Sequence, residues 1–78
     1  MTAYVPVGCG LHSQYELWCM HRRWLRLNWR GPDGVAVTGV RRALDLFTRE
    51  GAEWLVVEGG DGVRQEVRLD RIDDARAL

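Results

Sequence analysis

The sequence predicts a single, mainly β domain of the α+β type, in which one short N-terminal helix precedes a small, strongly bent antiparallel β-barrel. Two observations lead to this prediction. After about residue 23 the spacing of apolar residues changes from a helical period to a period of two, and turn signals then follow at short intervals. A chain of 78 residues has room for one hydrophobic core, so we expect one domain over residues 1–78.

The helix is predicted over about residues 14–22. Ser13 and Glu16 have the spacing of a capping box, in which the Ser13 hydroxyl accepts a hydrogen bond from the N–H of Glu16 and the Glu16 carboxylate accepts one from the N–H of Ser13. The side chains on one face of this helix should contact the sheet. They are Tyr15, Trp18, Cys19 and Arg22.

The first strand is predicted at residues 24–30, where alternate side chains should face the core. The inward set is Leu25, Leu27 and Trp29, and the outward set is Trp24, Arg26, Asn28 and Arg30. A turn at residues 31–34 leads into a returning strand over residues 35–40, in which Gly39 is the expected position of a bulge or bend.

Residues 41–50 fit two structures. Ala43, Leu44, Leu46 and Phe47 can form a helical face that ends at Gly51, or the segment can continue the preceding strand. Beyond it, residues 53–58 predict a strand, residues 59–62 a hairpin loop, and residues 63–69 a further strand. In that strand the inward residues should be Val63, Val67 and Leu69. A last short strand is expected at residues 70–72, and the polar residues 73–78 are expected to fray.

Charge and composition narrow the possible functions. Eleven arginines balance eleven acidic residues and lysine is absent, so affinity for nucleic acid needs a local patch. No apolar run approaches the roughly 18 residues of a membrane span, and the N-terminus has no signal-peptide pattern. We therefore expect a cytoplasmic protein that makes no contact with membranes and keeps its cysteines reduced. We also expect it to be a monomer.

Four soft ligands lie close together in the N-terminal part, namely Cys9, His12, Cys19 and His21. On a helix, however, Cys19 and His21 would point about 200° apart, so they cannot both face one zinc ion unless the helix ends between them. The prediction is therefore no metal and no cofactor, with both cysteines as small apolar residues that join the N-terminal segment to the helix. No nucleophile has a base and an orienting group at a recognisable spacing, which predicts a protein that is not an enzyme.

The most basic segment lies at residues 22–30 and also carries two tryptophans. If Trp24, Arg26 and Arg30 are exposed on the outer face of their strand, they combine a stacking surface with phosphate-binding groups, which is typical of RNA-binding strands. The alternative is that the helix covers Trp24 and that the arginines form ion pairs across the sheet. Their expected partners would be Glu53, Glu58 and Glu66.

Several sequence blocks together resemble the Rof (YaeO-type) family of Rho-binding transcription antiterminators. The blocks are Tyr4-Val5-Pro6-Val7-Gly8-Cys9, Ser13-Gln14-Tyr15-Glu16-Leu17-Trp18-Cys19, Asp33-Gly34, Ala43-Leu44-Asp45-Leu46, Glu53-Trp54-Leu55-Val56-Val57-Glu58 and Arg68-Leu69-Asp70-Arg71-Ile72. The resemblance implies an Sm-like (SH3-like) barrel with one N-terminal helix, and it favours a strand at residues 43–46.

The same resemblance implies binding to the termination factor Rho, whose RNA-binding surface such proteins block through carboxylates. Residues 10–13, where acids are expected, contain none in this chain. The residues left for contact with Rho are Glu16, Glu58, Asp61 and Glu66. Two other functions fit the sequence, an Sm-like RNA-binding module or a scaffold re-used to bind another protein.

Overall fold

The computed structural model describes residues 8–78, with Cys9 described by its backbone alone. It has one helix and five strands within these residues. The elements are α1 (Cys9–Met20), β1 (Trp24–Arg30), β2 (Ala36–Arg49), β3 (Ala52–Glu58), β4 (Arg64–Arg68), a short 3-10 turn (Leu69–Arg71) and β5 (Ile72–Ala77). The predicted mainly β class is confirmed. The block from Tyr4 to Val7 lies outside the described residues.

All strand pairs are antiparallel, and the strand order is β4-β3-β2-β1-β5. The two edge strands, β4 and β5, do not pair with each other, so the sheet stays open and the word barrel describes it only loosely. Strand β2 is 14 residues long and pairs with two neighbouring strands, one along each half of its length. Its first half pairs with β1 and its second half with β3, which makes residues 41–50 mostly strand.

The bulge in β2 lies further along the chain than the sequence predicts. Pairing with β1 is regular through Gly39, which faces Leu27, so the bulge predicted at that glycine is wrong. The register shifts instead between Ala43 and Asp45, against Val57 and Val56 of β3. A bulge there bends β2 where its partner changes from β1 to β3.

The core lies between α1 and the sheet. Its buried side chains are Tyr15, Trp18, Leu25, Leu27, Trp29, Ala43, Leu55, Val57, Val67 and Leu69. The inward set predicted for β1 is therefore confirmed, as are Val67 and Leu69. Val63 is exposed instead, because it precedes β4 as the last residue of the hairpin loop. Cys19 packs against the core while half-buried.

The two hairpin loops share the pattern Gly-x-Asp-Gly, at residues 31–34 and 59–62. In each loop the last glycine has φ of +82° and its N–H donates to the carbonyl of the first. The aspartate carboxylates of Asp33 and Asp61 accept hydrogen bonds from the N–H two residues further on, at 3.1 and 3.0 Å. Both loops are thus turns closed by an Asp side chain.

The helix begins earlier than the capping box predicts. It starts at Cys9 with Gly8 as N-cap and without a side-chain cap, so Ser13 lies inside the helix and is exposed. The earlier start places His12 one helical turn before Glu16, where the two side chains make a contact of 2.7 Å that the capping box would exclude. The helix ends at Met20, and Arg22 follows it with a φ of +49°, so Arg22 is not on the buried face.

The fraying predicted for residues 73–78 is also wrong. These residues continue β5, which pairs with β1 from Leu25 to Trp29, and the N–H of Leu78 donates to the carbonyl of Trp24. The polar composition misleads because the outer face of β5 is exposed while Ala75 packs against the core. The two aspartates and the one arginine of this segment form ion pairs at the surface instead of being left free in solvent.

Candidate functional site: an acidic groove beside the helix

Five arginines form ion pairs with carboxylates within residues 8–78. The pairs are Arg30 with Asp73, Arg49 with Glu66, Arg64 with Glu58, Arg68 with Asp70, and Arg76 with Asp74. The pair between Arg68 and Asp70 is partly buried and has two hydrogen bonds, of 2.9 and 2.6 Å. The other four lie at the surface, where such pairs contribute little to stability. They do neutralise charge locally, so the remaining acids decide where the molecule is acidic.

Three of the acids that were predicted to contact Rho lie on the β3–β4 hairpin and are already engaged. Glu58 lies 3.5 Å from the Arg64 Nε, and Glu66 lies 3.0 Å from an Arg49 nitrogen. Asp61 closes its loop in the same way that Asp33 closes the other, so the turn alone accounts for that residue. The structure does not bring these three acids together with Glu16, which lies on α1.

A wide groove of about 510 Å³ runs between α1 and the bulged part of β2. Its lining residues are His12, Glu16, Cys19, Met20, Leu44, Asp45 and Leu46. Glu16 enters it from the helix, three residues before Cys19, while Asp45 lies at the register shift of β2. No arginine is paired with Glu16 or Asp45 in the described part of the chain. The groove therefore presents two carboxylates whose charges are not compensated by arginine.

His12 joins the groove to β3. Its Nδ1 lies 2.7 Å from the Glu16 Oε1, and its Nε2 lies 3.2 Å from the Glu53 Oε1. An ionised carboxylate only accepts hydrogen bonds, and a neutral imidazole has a single N–H. Only the doubly protonated ring can donate to both carboxylates at once. His12 is thus placed to bridge the helix and the sheet at the rim of the acidic groove.

The electrostatics of the groove act on Cys19. Burial, followed by the charges of Asp45 and Glu16, raises the pKa of its thiol to about 11. At neutral pH the sulfur is therefore protonated, which is unfavourable for a nucleophile or a zinc ligand. Residues 8–78 contain no cluster of three or more metal-ligating side chains, although the Cys9 side chain lies outside this description. The same stretch holds no helix with the length and apolarity to cross a membrane.

The residues of the alternative RNA site share one face of β1, as predicted. Trp24 is 38% exposed and so is not covered by the helix, and Arg26 and Arg30 are exposed beside it. Arg30 pairs with Asp73 of β5 and not with any of the three glutamates expected as partners. Glu58 and Glu66 do form ion pairs, but with Arg64 and Arg49.

Sequence reasoning missed two acids of the groove region, Asp45 and Glu53. Asp45 reaches the groove because of the bulge, and no sequence signal marks the position of that bulge. The contact between His12 and Glu16 has a readable signal, since a spacing of four places two side chains together on a helix. The competing capping-box interpretation assigned Glu16 to the backbone and hid this contact.

Fold and groove together define a small, helix-covered β domain with an acidic surface suited to a basic partner. The sequence profile described as "Modulator of Rho-dependent transcription termination (ROF)" matches residues 6–78. The relatives named "Protein rof" in Escherichia coli (strain K12) and in Shigella flexneri are each 38% identical to this chain over 69 residues. The matched residues cover 88% of this chain and 76% of each relative. The chain belongs to the ROF family, and the resemblance seen in the sequence is confirmed.

Proposed function

We propose that this protein binds Rho and opposes Rho-dependent termination by competing with RNA for the RNA-binding surface of Rho. The family description, a modulator of Rho-dependent termination, supports Rho as the partner. A protein surface that binds RNA is basic, because phosphate contacts supply much of its affinity. A competitor for that surface needs carboxylates. The protein acts in the cytoplasm as a monomer. It blocks the RNA-binding surface sterically and electrostatically and catalyses no reaction.

The observation that carries the proposal is the pair of carboxylates in the groove. Glu16 has a side chain that is 59% exposed, and Asp45 is also exposed, so both can reach a partner. Neither needs to break an ion pair with arginine before it contacts a basic residue of Rho. Glu58 and Glu66 would first have to leave Arg64 and Arg49, so we place them in a secondary role together with Asp61.

The helix adds apolar contact area next to the groove. Met20 lines the groove and is 72% exposed, while Leu17 and Leu11 are also exposed on α1. Interfaces combine apolar contacts with charged groups that fix orientation, and methionine adapts to an irregular partner. We therefore place the contact with Rho on α1 and the bulge of β2, with Glu16 and Asp45 as the charged contacts.

The test compares two variants of equal charge in a titration against Rho. Glu16→Gln with Asp45→Asn removes the groove carboxylates, and Glu58→Gln with Glu66→Gln removes two carboxylates from the hairpin. We expect the groove variant to weaken binding at least tenfold and to restore termination in a transcription assay. The hairpin variant should change affinity less than threefold. Equal losses in both variants, or a loss only in the hairpin variant, would show that the groove is not the contact.

Competition with RNA needs its own measurement. Rho loaded with a labelled RNA is mixed with increasing amounts of the protein, and bound RNA is followed by anisotropy. We expect the RNA to be released in step with binding of the protein. A stable complex of Rho, RNA and protein would refute competition while leaving Rho as the partner.

A further inference from the structure

Four arginines gather around Trp24 at the start of β1, and three of them have no carboxylate partner in the described part of the chain. The Trp24 cluster consists of Arg22, Trp24, Arg26, Arg42 and Arg76. Arg42 of β2 lies directly opposite Trp24, and Arg76 of β5 lies directly opposite Arg26. Residues that face each other in antiparallel strands share one side of the sheet. The Arg42 Nε also donates a hydrogen bond of 3.2 Å to the carbonyl of Arg22, and this bond keeps Arg22 next to Arg42.

The cluster has an excess of positive charge. No carboxylate contacts Arg22, Arg26 or Arg42 within residues 8–78, since Glu58, which lies opposite Arg42 in β3, pairs with Arg64 instead. Arg76 pairs with Asp74 at 3.0 Å. Like charges directly opposite one another destabilise a sheet. The placement of Arg26 against Arg76 therefore does not serve stability. An anion held between them would remove the repulsion.

An aromatic surface lies within the same cluster. The ring of Trp24 is partly exposed, and the Arg42 guanidinium lies 6.0 Å from its centroid. Val40, which faces Arg26 across the sheet, extends the exposed apolar area. A planar ring beside several cations fits a polymer in which flat bases alternate with phosphates, because bases stack on tryptophan while arginines bind phosphates.

We propose that the Trp24 cluster binds single-stranded RNA, with one base stacked on Trp24 and the flanking phosphates held by Arg26, Arg42 and Arg76. The chemistry belongs to single-stranded nucleic acid in general, and RNA is the form that the family's role in transcription termination provides. Affinity is modest, about 10⁻⁶–10⁻⁴ M at physiological salt, as expected for a few phosphate contacts without base readout. This site shares no residue with the acidic groove and does not depend on the proposed binding to Rho.

The test measures binding of labelled 12-residue oligonucleotides by anisotropy over a range of salt concentrations. The variants are Arg26→Gln, Arg42→Gln and Trp24→Ala. The matched control is Arg49→Gln, which removes the same charge from a side chain that is 49% exposed at the far end of β2. Removal of each cluster arginine should make the slope of log affinity against log salt less negative by about 0.7. Trp24→Ala should weaken binding by about tenfold, Trp24→Phe should weaken it less, and Arg49→Gln should change nothing.

Two further measurements make the result specific. The indole N–H resonance of Trp24 should shift on addition of RNA, and Glu16→Gln should bind RNA as the parent does. A Trp24 resonance that stays still, or a loss in Arg49→Gln equal to that in Arg26→Gln, would overturn the site. Duplex RNA bound as tightly as single-stranded RNA would exclude stacking on Trp24. Single-stranded DNA bound as tightly as single-stranded RNA would show that the site does not distinguish the two, and would refute RNA as the dedicated ligand. Displacement of RNA by an equal concentration of polyglutamate would identify the cluster as a contact for acidic proteins.

Discussion

The acidity of the groove can be measured through Cys19, which lines it together with Glu16 and Asp45. Burial, Asp45 and Glu16 raise the pKa of this thiol from 9.0 to about 11. At pH 8 only ~0.1% of Cys19 is then the reactive thiolate, whereas a thiol with the ordinary pKa would be ~10% ionised. Asp45→Asn removes the carboxylate that has the larger effect on the pKa of the thiol. Because burial is the first cause and persists, we expect alkylation to accelerate by only about two- to fivefold.

The assay is the rate of iodoacetamide modification, followed by intact mass on a Cys9→Ser background so that Cys19 is the only thiol. Glu16→Gln should also accelerate the reaction, by less than Asp45→Asn. Glu58→Gln is the matched control, since it removes the same charge from the hairpin. The pH at which the rate reaches half its maximum should fall in the two groove variants and stay the same in the control.

One pattern of rates would refute this reasoning. If Asp45→Asn, Glu16→Gln and the parent all react equally slowly, the carboxylates do not act on the sulfur and the groove is not acidic as described. If Glu58→Gln accelerates the reaction as much as Asp45→Asn, the effect follows net charge and not position. Thermal unfolding of each variant, measured in parallel, separates a change in thiolate content from local opening of the helix.

Four other outcomes follow from the structure. Ser13→Ala should leave the free energy of unfolding unchanged within a few tenths of a kcal/mol, because Ser13 is not the helix cap; urea denaturation that shows a loss of about 1 kcal/mol would restore the capping box. Leu11→Asp with Ser13→Asp should strengthen binding to Rho and make it more sensitive to salt in the same titration, since both positions are exposed on α1; unchanged affinity would move the contact elsewhere. Burial and the nearby charge of Asp74 raise the pKa of Tyr15 to about 12, so this residue stabilises the fold below pH 10 and that contribution is lost as pH rises through 12; in Tyr15→Phe, unfolding followed by circular dichroism should show a smaller alkaline loss. Deletion of residues 74–78 should lower the melting temperature by several degrees because it removes most of β5, and an unchanged value would show that the tail frays after all.

The strands could be predicted from sequence because their signals are local. The alternation of apolar and polar residues in β1 identifies its buried side chains, and the two Gly-x-Asp-Gly loops mark where the hairpins turn. The ambiguous segment at residues 41–50 needed information from beyond itself. Its apolar spacing suits a helix as well as a strand, and pairing with β3 decides the structure.

The errors have a common physical origin, since each concerns a feature that distant residues determine. The capping box is a local option, but an earlier helix start lets His12 bind Glu16 and Glu53. The polar tail would fray in isolation, but β1 offers it an open edge. The hairpin acids look available in the sequence because the arginines that neutralise them come from another strand or from across the turn.

A net charge of zero therefore says little about what this protein binds. Ion pairs cancel charge over much of the sheet, while carboxylates without an arginine partner remain in the groove and arginines without a carboxylate partner remain around Trp24. At physiological salt the Debye length is about 8 Å, which is short beside a molecule of 31 × 26 × 19 Å. A partner at one surface thus responds mainly to the charges there. If so, Glu16→Gln should reduce the salt dependence of Rho binding alone, and Arg26→Gln should reduce that of RNA binding alone.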